Sequence, residues 1–289
     1  VYSASIEITE GCAWNLCTFC WLYKDPISQI FRKRSRIDIF TDLKKLKSSL
    51  SFATNFFLGG CSAICHETSI LCEVLQFINK NFPHPQHIGS YARASDIIDK
   101  RNDDLKKMYE YGLKTIYMGI ETGSASLLKK CKKGLTPDEI IRASKKIMQI
   151  GFKLSVNVIL GLGGKEFSEE HVIETTRILN LINPHMIRFR TLHVLPSSPL
   201  YLETITGIFE ELQPREILKE QYLILKDLTV TSEVFNDHFS NYVQFDGNLP
   251  EEKNEMLLII KNVIHSLMFD NPSLREDSSF SKTIVDINH

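Results

Sequence analysis

Six short apolar runs recur along the first two-thirds of the chain, each followed by a stretch of different rhythm, and this alternation restricts the fold more than any other feature. The runs cover residues 3–8, 55–58, 87–92, 115–120, 153–160 and 186–192. Between them the spacing predicts helices. One spans 38–51, with Ile39, Leu43, Leu46 and Leu50 on a single face, and a second spans 69–82 and is closed by Pro83. Asn102 is placed to cap a third that runs to Tyr111, where Gly112 stops it. Thr136-Pro137-Asp138-Glu139 has the form of a capping box with proline at the first helical position, opening a helix that Gly151 ends. A fifth helix is predicted over 168–180. Strands and helices in this order imply parallel strands joined by right-handed crossovers. Periodicity alone admits an open doubly wound sheet or a partial barrel.

After Leu200 the pattern changes. Helices are predicted over 213–228 and 251–268 around a strand-like piece at 228–231, and the polar residues 270–289 read as a loose tail. The expected division is therefore a core over 1–200 and a mostly helical C-terminal extension over 201–289. The basic connector at residues 31–36 reads as a solvated loop.

Directly after the first run, Cys12, Cys17 and Cys20 fall within nine residues. Thiolates this close face one point only if the loop wraps around something, and soft sulfur ligands select zinc or an iron–sulfur cluster. Structural zinc wants a fourth ligand at regular spacing. The next candidates, Cys61, Cys65 and His66, lie some forty residues on, beyond a predicted helix. Three thiolates with one open position suit a [4Fe–4S] cluster that accepts a further ligand.

The loop resembles the cluster-binding loop of radical S-adenosylmethionine enzymes, C-x3-C-x2-C with an aromatic before the last cysteine. Cys17-Thr18-Phe19-Cys20 matches the second half, aromatic included, while the first gap holds four residues instead of three. Other motifs follow in the family's order. Gly59-Gly60 resembles the Gly-Gly-Glu segment that holds the cofactor's amino group, with Cys61 in place of the acid. Gly119-Ile120-Glu121-Thr122-Gly123-Ser124 resembles the GIESGS segment of the Elongator-like and methylthiotransferase-like branch, and Lys133 matches its following basic position. Residues 155–164, with Ser155 and Asn157 on the polar side, resemble the segment that packs on adenine.

The resemblance implies a (β/α)6 partial TIM-type barrel of the α/β class, with the site at the C-terminal strand ends. It also implies a [4Fe–4S] cluster on Cys12, Cys17 and Cys20, and S-adenosylmethionine held by Phe19, Gly59, Gly60, Glu121, Lys133, Ser155 and Asn157. Reductive cleavage to a 5'-deoxyadenosyl radical, with flavodoxin or ferredoxin as electron donor, completes what the family leads one to expect.

Some residues are read from pattern alone. The last run alternates so that Arg188 and Arg190 point inward, which calls either for an anionic substrate or for interior acids such as Glu7 or Glu121. Tyr91 and Arg93 follow the third run and are candidates for the mouth of the site. Cys61 and Cys65 are either chemical, as hydrogen-atom donors or ligands, or small buried apolar residues. His66-Glu67 is a candidate acid/base pair, and His238 lies in a donor-rich stretch that would close over substrate.

Charge narrows the partners. A net charge of -1 and a pI near 6.8 give no basic surface for nucleic acid, so a small anionic metabolite is the expected substrate. No apolar run reaches the ~18 residues of a membrane span. Seven cysteines clustered toward one end do not form a disulfide framework, and no signal-peptide pattern opens the chain. A reducing cytoplasm, in an oxygen-poor niche, is the expected setting. Two competing classes fit some of the residues. A non-catalytic zinc or electron-transfer protein leaves Glu121, Asn157, Arg188 and Arg190 unexplained. A barrel aldolase needs an interior lysine, where only Lys153 and Lys165 flank a strand.

Overall fold

The computed structural model describes residues 3–269 except 26, 28 and 84, without the side chains of 268 and 269. The polar stretch 270–289, expected as a tail, lies outside the described residues. In chain order the elements are β1 (Ser3–Glu7), β2 (Thr9–Glu10), β3 (Arg32–Lys33), α1 (Arg36–Ser49), β4 (Asn55–Gly59), α2 (Thr68–Asn81), β5 (His87–Tyr91), α3 (Ala94–Asp99), α4 (Asn102–Glu110) and β6 (Thr115–Glu121). There follow α5 (Ala125–Lys130), α6 (Pro137–Ile150), β7 (Lys153–Leu160), α7 (Gly164–Ile182), β8 (Met186–Thr191), α8 (Pro199–Ile205), α9 (Pro214–Asp227), β9 (Glu233–Phe235), β10 (Asp246–Asn248) and α10 (Lys253–Phe269).

The main sheet runs β1-β4-β5-β6-β7-β8-β9-β10. Its first pairings, β1 with β4, β4 with β5 and β5 with β6, are parallel, as is β8 with β9. The six predicted strands occur in sequence order with helices between them, which is the α/β architecture expected of a (β/α)6 partial TIM-type barrel. The chain divides into two compact units, one of residues 1–119 and 132–155, the other of 120–131 and 156–289.

Where local chemistry was explicit, element ends match expectation. Thr136 accepts from the Glu139 amide while the Glu139 side chain accepts from the Thr136 amide at 2.8 Å, and Gly151 closes α6 in the left-handed region. Removing this box by Thr136→Ala is expected to cost ~1 kcal/mol and lower the melting temperature by about 2–4 °C, as thermal unfolding would show. A melting point unchanged within 1 °C would deny the cap its role.

Four expectations need correction. The basic connector is not a free loop: Arg32–Lys33 pairs antiparallel with Thr9–Glu10, and its cations meet Glu10, Glu67, Asp42 and Glu73. Asn102 does not cap α4, whose N-cap is Arg101 without a side-chain bond. Residues 228–231 form no strand; the strand comes at Glu233–Phe235, where it can pair with β8. The short helices α3 and α5 lack the length for a readable period and were not anticipated.

In the first unit the apolar residues Ala4, Ile6, Phe56, Leu58 and Ile88 are buried on one face of the strands. The intervening Ser5, Glu7, Phe57 and Tyr91 are partly or fully exposed on the other. The candidate groups stand on that second face and at the strand ends beyond it.

Candidate active site

In the first unit, β1 leads through Ile8 and the buried Thr9 to Gly11, whose φ of 68° turns the chain into the cysteine loop. Cys12, Cys17 and Cys20 are not in disulfides and are partly accessible. Asn15 organises the loop from within. It adopts a left-handed φ of 45°, its amide donates to Cys12 Sγ at 3.4 Å, and its side chain donates to the Tyr23 carbonyl at 2.7 Å. Lys24 Nζ donates to the Asn15 carbonyl at 2.6 Å.

Trp14 pins the same loop from outside. Its indole N–H donates to the Lys132 carbonyl at 2.6 Å, and the Arg93 guanidinium lies 5.3 Å from its ring. Gly134, at φ 71°, lies under the indole so closely that a Cβ would collide with the ring. The clamp brings Lys133 to the loop, its ammonium 6.0 Å from the Phe19 ring. Arg93 thus packs on Trp14 of the cysteine loop.

Gly59 and Gly60 end β4. Gly60 has φ 95°, and a Cβ there would run into Thr9, so only glycine fits. The next residue, Cys61, is a hydrogen-bond partner of Cys12. That bond, with the Asn15 and Trp14 amides, pulls the Cys12 thiol down to about 5, and the Cys61 thiol is pushed up by the same bond and by burial. Burial pushes Cys65 up to about 11 and also raises Cys20. Lys24, Lys133 and Arg93 set positive charge around the loop, which favours thiolates. Among the described residues no three His, Cys, Asp or Glu side chains gather as a single metal ion would need. A four-iron cluster makes a different demand, since each thiolate binds its own iron at a separate corner. Three accessible thiols on one pinned loop in positive surroundings fit that demand.

His66 is buried with both ring nitrogens engaged, Nε2 at 3.0 Å from the Arg34 carbonyl and Nδ1 accepting from the Glu67 amide at 2.8 Å. Its Nδ1 also lies 2.6 Å from the Glu67 carboxylate, so the two members of the pair read from the sequence are in contact. Tyr91 is 45% exposed and meets Phe57 edge to face at 4.8 Å. Ser155 is fully buried, and its hydroxyl has no hydrogen-bond partner among the described residues.

In the second unit, Glu121 ends β6 buried, at a φ of 64°. A non-glycine residue in this region is held there by its surroundings, and such strain concentrates at functional positions. Behind it lies a polar network that the sequence did not reveal. His171 Nδ1 lies 2.8 Å from Thr122 Oγ1, and the Gly123 amide donates to Thr175 Oγ1 at 2.9 Å. Glu220, from α9, accepts from the Gly161 amide at 2.5 Å and from Ser168 Oγ at 2.9 Å. Its carboxylate is 3.8 Å from His171 Nε2, and both side chains are fully buried. Burial pushes Glu220 up to about 7 and His171 down to about 4. Asn157, farther back on β7, is partly exposed.

Arg188 and Arg190 share the polar face of β8. Asp237 lies 3.6 Å from Arg188 and 3.8 Å from Arg190. The Arg188 guanidinium stacks over Phe235 at 4.0 Å. His238 bonds Ser240 Oγ at 2.7 Å, and burial followed by the Arg190 charge pushes it down to about 4, so it is neutral at pH 7. Asp237 was legible only as part of a donor-rich stretch, and Trp14 only as a residue in the lengthened cysteine gap.

Among curated proteins, the chain is 23% identical to the heme chaperone HemW of Buchnera aphidicola over 65% of this chain and 50% of that protein. It is 22% identical to 4'-phospho-dehydrooxetanocin synthase of Priestia megaterium, over 89% of this chain and 36% of that one. It therefore spans about half or less of these relatives. Among solved structures, the methyltransferase TsrM of Kitasatospora setae, with cobalamin and a [4Fe–4S] cluster bound, superposes with a TM-score of 0.57 at 17% identity, over 70% of this chain and 39% of that one. Coproporphyrinogen III oxidase (HemN) of Escherichia coli gives 0.57 at 16% identity, over 78% and 52%. At such identities these two likenesses are likenesses of fold. Residues 6–179, more than half of the chain and with all three loop cysteines among them, match the family model of the Radical SAM superfamily, and to that superfamily the chain belongs.

Proposed function

We propose that the chain is an enzyme that cleaves S-adenosylmethionine reductively and directs the resulting radical at a small anionic substrate. The supporting observation is the pinned loop that presents Cys12, Cys17 and Cys20 as accessible thiols amid Lys24, Lys133 and Arg93. These cysteines would hold a [4Fe–4S] cluster. When bound, cluster and cofactor supply one-electron cleavage to methionine and a 5'-deoxyadenosyl radical, which takes a hydrogen atom from substrate.

The protein's share is placement. Gly59 and Gly60, with Glu7 and Thr9 packed against them, would offer their backbone to the cofactor's amino group. Lys133, set over Phe19, offers a cation to the cofactor's carboxylate, and Glu121, Ser155 and Asn157 offer polar contacts to the rest of it. Arg188 and Arg190, side by side on the polar face of β8, would recognise a carboxylate or phosphate. A reduced flavodoxin or ferredoxin is the expected electron source. Among the described residues no helix is long and apolar enough to cross a membrane.

Anaerobic reconstitution with iron and sulfide, followed by dithionite and S-adenosylmethionine, is expected to yield 5'-deoxyadenosine. A chain that takes up zinc and no iron would overturn the reading. The HemW relatives favour a second reading, in which the same loop serves a haem-handling protein. Stoichiometric haemin binding without 5'-deoxyadenosine would select it.

A further inference from the structure

The exposed strand face of the first unit carries a group of side chains with no part in the reading above. Strand register places Glu7 of β1 beside Gly59 of β4, Ser5 beside Phe57, and Tyr91 of β5 beside Tyr117 of β6. Phe57 also lies beside Gly89 of β5. The glycines Gly59 and Gly89 thus leave room beside Glu7 and Phe57 respectively. The rings of Phe57, Tyr91 and Tyr117 meet at angles instead of stacking. Phe57 and Tyr91 are 4.8 Å apart at 71°, Tyr91 and Tyr117 6.0 Å at 70°, and Phe57 and Tyr117 5.6 Å at 57°.

The Glu7 carboxylate lies over Gly59, in the space a side chain there would fill. Its hydrogen-bond partner is Ser5 Oγ at 3.4 Å, and among the described residues it forms no ion pair. The cation that reaches this strand end is Arg34, which donates to the Glu7 main-chain carbonyl at 2.9 Å and directs its charge to Asp42 and Glu10. An exposed carboxylate therefore stands beside a three-ring aromatic group on one open face.

Rings set at angles with a carboxylate at their rim form a receptor for positive charge, because the ring faces and the acid attract a cation together. Neutral groups gain from the rings alone, and anionic groups are repelled by both the ring faces and the acid. We infer that Glu7, Phe57, Tyr91 and Tyr117 form a binding site for an organic cation, an ammonium or sulfonium group. Two sources supply that chemistry: S-adenosylmethionine itself, and an amine on the substrate. The site stands on its own geometry, and only the choice between these sources rests on the function proposed above.

The test is equilibrium dialysis of radiolabelled tetramethylammonium against the reconstituted protein, repeated on protein without iron. Wild type is expected to bind the probe, Glu7→Gln and Tyr91→Leu each about tenfold more weakly, and Tyr91→Phe as well as wild type. Retained binding by Tyr91→Phe, with unchanged melting curves for all variants, separates loss of the ring from loss of the fold. If saturating S-adenosylmethionine displaces the probe and Glu7→Gln weakens both ligands alike, the cofactor's cation is the occupant. If the probe stays bound beside the cofactor, the occupant is a substrate amine. Equal binding by wild type, Glu7→Gln and Tyr91→Leu, or no binding by any of them, overturns the proposal. A protein that binds the probe but never assembles a cluster would sink the enzymatic reading and leave this site standing.

Discussion

Changing Cys12, Cys17 and Cys20 together to alanine is expected to abolish the brown iron–sulfur chromophore and to take iron from about four per chain to background. Formation of 5'-deoxyadenosine should fall by well over ~100-fold, since losing even one outer partner of a metal site costs about 10–100-fold. Cys131→Ala and Cys72→Ala are the controls. Cys131 is buried with its thiol turned to the Leu128 carbonyl, and Cys72 stands on α2, so both variants should keep their iron. Iron analysis, the visible spectrum and product chromatography read the result together. A triple variant that still assembles a four-iron cluster would remove the ligand assignment.

The second large effect is one of pH, and it comes from the buried pair Glu220 and His171. Glu220 is pushed up to about 7 from an ordinary 4.5, so between those values the folded chain holds a proton that the unfolded chain has lost. Stability from this group falls as pH rises through the window. His171 is pushed down to about 4 from 6.5, so between those values the unfolded chain holds the extra proton. Stability from the imidazole falls as pH drops. Each shift corresponds to ~3 kcal/mol across its window. From about pH 4.5 to 6.5 the two slopes oppose and cancel, because folding in effect moves a proton from imidazole to carboxyl. Single substitutions should expose each slope. In their own stability curves, Glu220→Gln should gain ~3 kcal/mol as pH rises from 4 to 6.5, and His171→Leu should lose about as much from 4.5 to 7, where wild type stays nearly level between about 4.5 and 6.5. Urea unfolding across pH measures both. Parallel curves for wild type and the two variants would refute the account.

What the sequence disclosed follows a physical division. Elements set by local rules were readable: the capping box at Thr136, the left-handed stop at Gly151, and the alternation that fixed six strands. The cysteine loop was readable because its chemistry is concentrated in nine residues. Contacts between distant segments were not. Asp237 faces two arginines some fifty positions earlier, and Glu220 caps the Gly161 amide from a helix whose own spacing shows only an amphipathic face. Nothing local to Glu220 marks it as a buried acid. The Phe57, Tyr91 and Tyr117 group was equally hidden, because it requires the register of three strands.

The Trp14 clamp gives the loop a history as well as a shape. Its seat, the Lys132 carbonyl and Gly134, lies 118 residues downstream of the indole at its hydrogen-bonded end. A chain still being synthesised therefore carries its three thiols for most of the first unit's length before the segment that pins them exists. Closing so long a loop costs entropy that grows only slowly with length, but it does delay the contact. Lys133, the cation that reaches Phe19, arrives on that same late segment, so the loop gains its anchor and its neighbouring charge in a single step. The segment that pins the loop is made 118 residues after Trp14, so the pinned arrangement of the cysteines cannot form before it.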